Sequence, residues 1–275
     1  MPSIIDVFKE SMDIAKKNYL KLLGLYVLIL VIFVVLGIIL VLLTTGAALG
    51  AVSSINSPLA FIPIVLVIFI VAILISPIWN GIYYSLAIQG MQKRGKTTLD
   101  KAFKDSERVY RKMLWTSVIQ TVAIVIAVGI IITPDLLYIL SNRSSSGVVS
   151  HPLLFLSTLG ITALVVIVVA AILGDLFFMA VPLAMLDGSS GTVAIKKSFG
   201  VARKYFWSII GLFILSGIAY AVVYAITEIF TIGFSFVNPI LGGIVSIILT
   251  VLLESLIVGI VGFLPIVFYK RFVKS

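Results

Sequence analysis

Apolar and small residues recur at intervals of four, three and four in three places along the chain. They are Phe8, Met12, Ala15 and Tyr19; Leu99, Phe103, Ser106 and Tyr110; and Ile195, Phe199, Ala202 and Phe206. That rhythm follows the turn of an α-helix and puts each set on one helix face. Each amphipathic phrase leads into long, almost uniformly apolar runs, sufficient to cross a bilayer core of about 30 Å. The pattern predicts six spanning helices, at about 22–47, 58–90, 114–140, 152–186, 207–232 and 239–269. The odd-numbered spans follow the phrases directly and are expected to turn into the membrane at Gly24, Trp115 and Gly211. The even-numbered spans begin at polar-proline pairs, Ser57-Pro58, His151-Pro152 and Asn238-Pro239. Proline suits a first helical turn, where its missing N–H would have no intrahelical partner. Thr98 and Thr192 fit N-caps for the second and third phrases.

The phrases also agree in their letters. SMDIAKKNYLKLLG at 11–24 and SFGVARKYFWSIIG at 198–211 share Ser11 with Ser198, Ala15 with Ala202, Lys17 with Lys204 and Gly24 with Gly211. A weaker copy, AFKDSERVYRKMLW, occupies 102–115. The predicted fold class is therefore all-α: a polytopic membrane helical bundle forming one integral membrane domain over 1–275. Its six transmembrane helices form three repeats, about 3–92, 93–188 and 189–275, each an amphipathic interfacial helix plus two spans. A unit that crosses twice returns to its starting side, so all three enter from one side. Parallel repeats of this kind are related by an axis along the membrane normal, and a pseudo-threefold arrangement is expected.

Composition sharpens this reading. The chain is 61% hydrophobic and 11% charged, against roughly 45–50% and about 25% for soluble domains. With no cysteine, it has no disulfide, thiolate metal site or cysteine nucleophile. Its single histidine, His151, reads as a flank or cap of the fourth span rather than a metal ligand. No cofactor and no enzymatic activity are expected. The charged, amphipathic N-terminus does not read as a cleavable signal peptide.

Charge sets the expected orientation. Of the 20 lysines and arginines, all but Arg143 lie in 1–21, 93–112, 196–204 and 270–274. The positive-inside bias then places both termini and the basic loops in the cytoplasm, with the protein in the cell membrane. Lys16, Lys17, Lys104, Arg108, Lys196 and Arg203 fall off the apolar stripes and are candidate contacts for anionic headgroups. Membrane lipids are thus the expected partners, and other membrane subunits could use the same basic face. Nucleic acid is not expected, because the basic residues cluster at helix ends without a recognition motif. Asn142-Arg143-Ser144 fits a glycosylation acceptor on the predicted outer side.

Residues 178–213 carry a helix-ending Pro182, the turn Asp187-Gly188, then Ala194, Lys196, Ser198, Phe206-Trp207 and Gly211. This wording resembles the six-helix membrane domains grouped with the membrane region of glycerophosphodiester phosphodiesterases and related prokaryotic domains of unknown function. In that family the turn acid is more often Glu, so Asp187 departs from the pattern. The resemblance implies a membrane domain, without the phosphodiesterase chemistry that belongs to a separate soluble barrel.

Three acids interrupt the apolar runs, Asp175, Glu228 and Glu254. Glu254 lies midway between Pro239 and Lys270, whereas Glu228 is placed near the outer interface. An acid at membrane depth is costly and normally faces protein or water. Asp175 and Glu254, with Asn80, Gln120 and Tyr224 on polar faces of other spans, form a candidate intramembrane polar site. Interhelical hydrogen bonding is the simpler account of such residues, ahead of a ligand or proton cavity. The expected function is a non-enzymatic membrane protein that binds lipid or organises the membrane. The alternative is a transporter or permease component using the intramembrane carboxylates.

Overall fold

The structure is a computed structural model that describes residues 3–50, 62–92, 97–141 and 152–274. Among these residues every regular element is helical: α1 (Ile4–Lys17), α2 (Tyr19–Gly50), α3 (Ile62–Gln92), α4 (Leu99–Ser141), α5 (Pro152–Phe177), α6 (Pro182–Leu186), α7 (Gly191–Ser235) and α8 (Pro239–Phe268). A π-helical turn, Tyr269–Val273, ends the series. Among the described residues five helices are long and apolar enough to cross a membrane, six if α1 and the start of α2 count as one bent span. Their flanks are apolar too: Ile130, Ile167 and Ile247 are each about two-thirds exposed. In water such a surface would be far larger than a monomer tolerates, whereas in lipid it is the ordinary surface. The chain is an integral membrane helical bundle. Ser57-Pro58, Asn142 and His151 lie outside the described residues.

Helix starts follow local chemistry. Ser3 caps α1, accepting from the Ile5 N–H at 3.2 Å, while the Asp6 carboxylate accepts from the Ser3 N–H at 3.3 Å, a reciprocal capping box. Asn238 caps α8 through the N–H groups of Ile240 and Leu241, with Pro239 as the first helical residue, as its polar-proline pair predicts. Thr98 directly precedes α4. Thr192 does not cap α7, which begins one residue earlier, at Gly191. There the left-handed Gly191 (φ 56°) offers its N–H to Thr116 Oγ1 at 2.8 Å, and a Cβ would strike the Trp115 ring.

The predicted turning points at Gly24, Trp115 and Gly211 are corrected. The first bend falls at Asn18 (φ −111°, ψ 12°), where α1 and α2 diverge by 82°. α7 kinks at Tyr205 (φ −121°, ψ 24°), the position matching Asn18 in the third phrase. α4 runs unbroken through Val109, the matching residue of the second. Asn18 holds its bend by donating from Nδ2 to the Ile14 carbonyl at 2.8 Å, while its own carbonyl starts α2 by accepting from Lys21 and Leu22. A glycine lowers the cost of a bend, but a side chain that satisfies the freed backbone groups fixes its position.

The fourth predicted span, 152–186, is also not one helix. It breaks after Phe177, runs through a non-helical turn at 178–181 and resumes at Pro182. Pro182 cannot donate to the preceding turn. Pro77 and Pro265, by contrast, sit inside continuous helices. At Pro77 the carbonyl left without its usual donor, that of Ile73, lies 3.5 Å from Ser76 Oγ, which donates to it.

The chain divides into two compact units, Met1–Tyr110 with Ile210–Ser275, and Arg111–Ile209. In the first, α8 is the hub against which α1, α2 and α3 pack. Its core includes Leu22, Tyr83, Leu86, Phe263 and Phe268. In the second, Met113, Phe177, Met179, Leu183 and Ile209 are buried.

Candidate functional site

The three amphipathic segments bury small residues at matching positions. Ser11 and Ala15, Ala102 and Ser106, and Ser198 and Ala202 occupy matching positions four residues apart, and all six are fully or almost fully buried. Such small-xxx-small pairs let helix backbones approach closely. Ser106 lies over Gly81 of α3 and donates to the Ile78 carbonyl at 2.8 Å; a Cβ at Gly81 would overlap it. Ser198 bridges the break after α5, donating to the Leu176 carbonyl at 2.6 Å and accepting from the Met179 N–H at 3.1 Å. The larger stripe residues flank these seats, with Phe103 and Phe199 remaining exposed.

The six candidate lipid contacts, Lys16, Lys17, Lys104, Arg108, Lys196 and Arg203, are all exposed. Lys104 pairs with Asp100 at 3.0 Å across one helical turn, an exposed contact of little energetic weight. Hydrogen bonds fix the segments' surroundings. Lys21 Nζ donates to the Thr97 carbonyl and hydroxyl, both at 2.6 Å, and Thr97 in turn donates to Asn18 Oδ1. Gln89 receives the Thr98 N–H at 2.9 Å and donates to Ser85, whose hydroxyl donates to Asp105 at 2.6 Å. Before α7, Asp187 accepts from the Ser189 N–H at 2.9 Å and from Lys197 Nζ at 2.6 Å. Burial pushes the Asp187 carboxyl up, but Lys197 and Ser189 outweigh it and hold the group below its ordinary value.

The candidate intramembrane residues divide between the two units, Asn80, Tyr224 and Glu254 in the first and Gln120 and Asp175 in the second. Glu254 belongs to the first unit, where it accepts from Tyr26 Oη at 2.5 Å, while Tyr19 Oη bonds the Leu252 carbonyl at 2.9 Å. Together these tyrosines tie α2 to α8. Tyr220 stands within electrostatic reach of Glu254, whereas Tyr224 is 67% exposed and faces outward. Asn80 and Gln120 are half-buried. Asp175 belongs to the second unit, in the last turn of α5; it is fully buried, and neither carboxyl oxygen has a partner among the described residues. A helix C-terminus carries negative dipole charge, which makes that position unfavourable for an anion. Tyr26 was missed in reasoning from the chain, and Tyr19 was read only as a member of the amphipathic stripe. Their spacing of seven, two helical turns on one face of α2, was the available signal.

A feature without a sequence precedent is a cleft of about 520 Å³ between α1, the end of α3 and the π-helical turn. Asp6, Lys9, Glu10, Asp13, Lys17 and Arg271 supply its charges, with Ile14, Gly90 and Met91 beside them. Arg271 Nε bonds Glu10 Oε2 at 2.7 Å. Gly90 lies under Ile14, whose Cγ2 is 2.8 Å from where a Cβ would stand. The described residues contain no group of three or more His, Cys, Asp or Glu side chains arranged to hold a metal ion.

No protein family, curated protein or solved structure matches the chain.

Proposed function

We propose that the chain is a non-enzymatic membrane module that binds anionic lipid through three repeated basic segments at the cytoplasmic surface of the cell membrane. One observation carries this reading. On three separate segments the small face is buried in the bundle, while Lys16, Lys17, Lys104, Arg108, Lys196 and Arg203 point away from it. A helix held in this way keeps its cations free for headgroups, each worth about 1 kcal/mol near an anionic surface. The partly exposed Phe103 and Phe199 beside them suit the acyl boundary. In bilayers of phosphatidylglycerol, the parent chain should unfold at a higher temperature than in phosphatidylcholine. Replacing the six cations by glutamine should abolish the difference. An identical difference in the six-fold variant would contradict the proposal.

Asp175 favours a second reading, a permease component. A buried carboxyl with no partner among the described residues suits an ion-coupled pathway, and Glu254 offers a second carboxyl held by Tyr26. Asp175→Asn and Glu254→Gln would then each alter proton or solute flux in reconstituted vesicles. Unchanged flux in both variants removes this reading.

A further inference from the structure

We infer that the cleft beside α1 binds a zwitterionic aminophosphate, in the membrane the headgroup of phosphatidylethanolamine. The inference rests on the proposal that α1 lies at the lipid surface, and it adds a ligand class that anionic-lipid attraction does not predict. The formal charge of the chain is +9, yet the cleft is balanced, with Asp6, Glu10 and Asp13 against Lys9, Lys17 and Arg271. Half of these charges are already engaged, Asp6 in the capping box and Glu10 with Arg271. Lys9, Asp13 and Lys17 are not in an ion pair with any described residue. They alternate in sign at four-residue intervals, a spacing at which opposite charges on a helix ordinarily meet.

A ligand of one sign does not fit. A bare phosphate attracted by Lys9 or Lys17 meets Asp13, and a bare amine attracted by Asp13 meets both lysines. A phosphate joined to a primary ammonium by two carbons satisfies both signs. The axial rise over four residues is about 6 Å, so phosphate at a lysine and ammonium at Asp13 lie within the reach of one headgroup. The ammonium donates charge-assisted hydrogen bonds to the carboxylate, which the quaternary nitrogen of choline cannot do. Ile14 and Met91, which also line the cleft, offer apolar contact to the glycerol end of the lipid.

The test uses the full chain in bilayers of equal phosphatidylethanolamine and phosphatidylcholine, with retained lipid counted by native mass spectrometry. Phosphatidylethanolamine should be enriched, and Asp13→Asn, which removes one charge-assisted bond, should lower that enrichment about tenfold. Lys17→Gln should lower it as well, and soluble phosphoethanolamine should compete for the same site. Equal retention of the two lipids overturns the inference, as does enrichment unchanged in both variants. Binding of soluble phosphoethanolamine without lipid enrichment overturns the assignment to a headgroup. A parallel measurement with phosphatidylglycerol separates the two proposals. If its stabilisation persists without phosphatidylethanolamine enrichment, the cleft inference falls and the basic-segment reading stands. If it is lost while the enrichment remains, the reverse holds.

Discussion

Ser198 illustrates how much a single small side chain decides. Its hydroxyl replaces part of the helix ladder interrupted between Leu176 and Met179, accepting from one backbone group and donating to another. Ser198→Ala leaves a carbonyl and an N–H without that partner, and should cost about 1–3 kcal/mol. Ser106→Ala removes one bond, to Ile78, and should cost about half as much. Thermal or denaturant unfolding in detergent checks the order, and equal losses would contradict the bridging role. The two copies of the phrase share Ser11 with Ser198, while the apolar stripe of the first runs through Phe8, Met12, Ala15 and Tyr19. Within that stripe only Ala15 is fully buried, Phe8, Met12 and Tyr19 are half-buried, and Ser11, off the stripe, is packed one turn before Ala15. Apolar periodicity alone cannot separate a protein-facing side from a lipid-facing side, because lipid is as apolar as the core. Residue size can, since only small residues permit close approach.

At the scale of elements, the spanning helices were legible because length and apolarity suffice to mark them. The breaks were not. Gly24 and Gly211 looked like hinges, yet the chain bends at Asn18 and Tyr205 and stays straight at Val109. The break after α5 likewise depends on Pro182 together with Ser198, which lies beyond the following turn. The turn itself, from Asp187 to Gly191, is held by the contacts of Asp187 with Ser189 and Lys197. Its carboxyl is held below the ordinary value of 3.8 in the folded state, so it contributes stability that is fully present above that value. The contribution disappears as pH falls through the folded value. Asp187→Asn should therefore be less stable than the parent near neutral pH, with the gap closing in acid well below pH 4. A gap independent of pH would assign the effect to packing instead.

At the scale of the molecule, the membrane character, the all-helical class and the basic segments were legible in composition and charge. The pairing of the polar residues at depth was not. Tyr26 and Glu254 are far apart in the chain, and only packing of α2 on α8 brings them together. The cleft arises in the same way, from α1, α3 and the π-helical turn, and no single stretch contains its pattern. The account as a whole depends on the three basic segments facing the same compartment. The parent chain has no cysteine, so Lys16→Cys, Lys104→Cys and Lys196→Cys can each be labelled singly with a membrane-impermeant maleimide in sealed vesicles of known orientation. All three should react only from the cytoplasmic side. Reaction of any one of them from the opposite side would contradict the account.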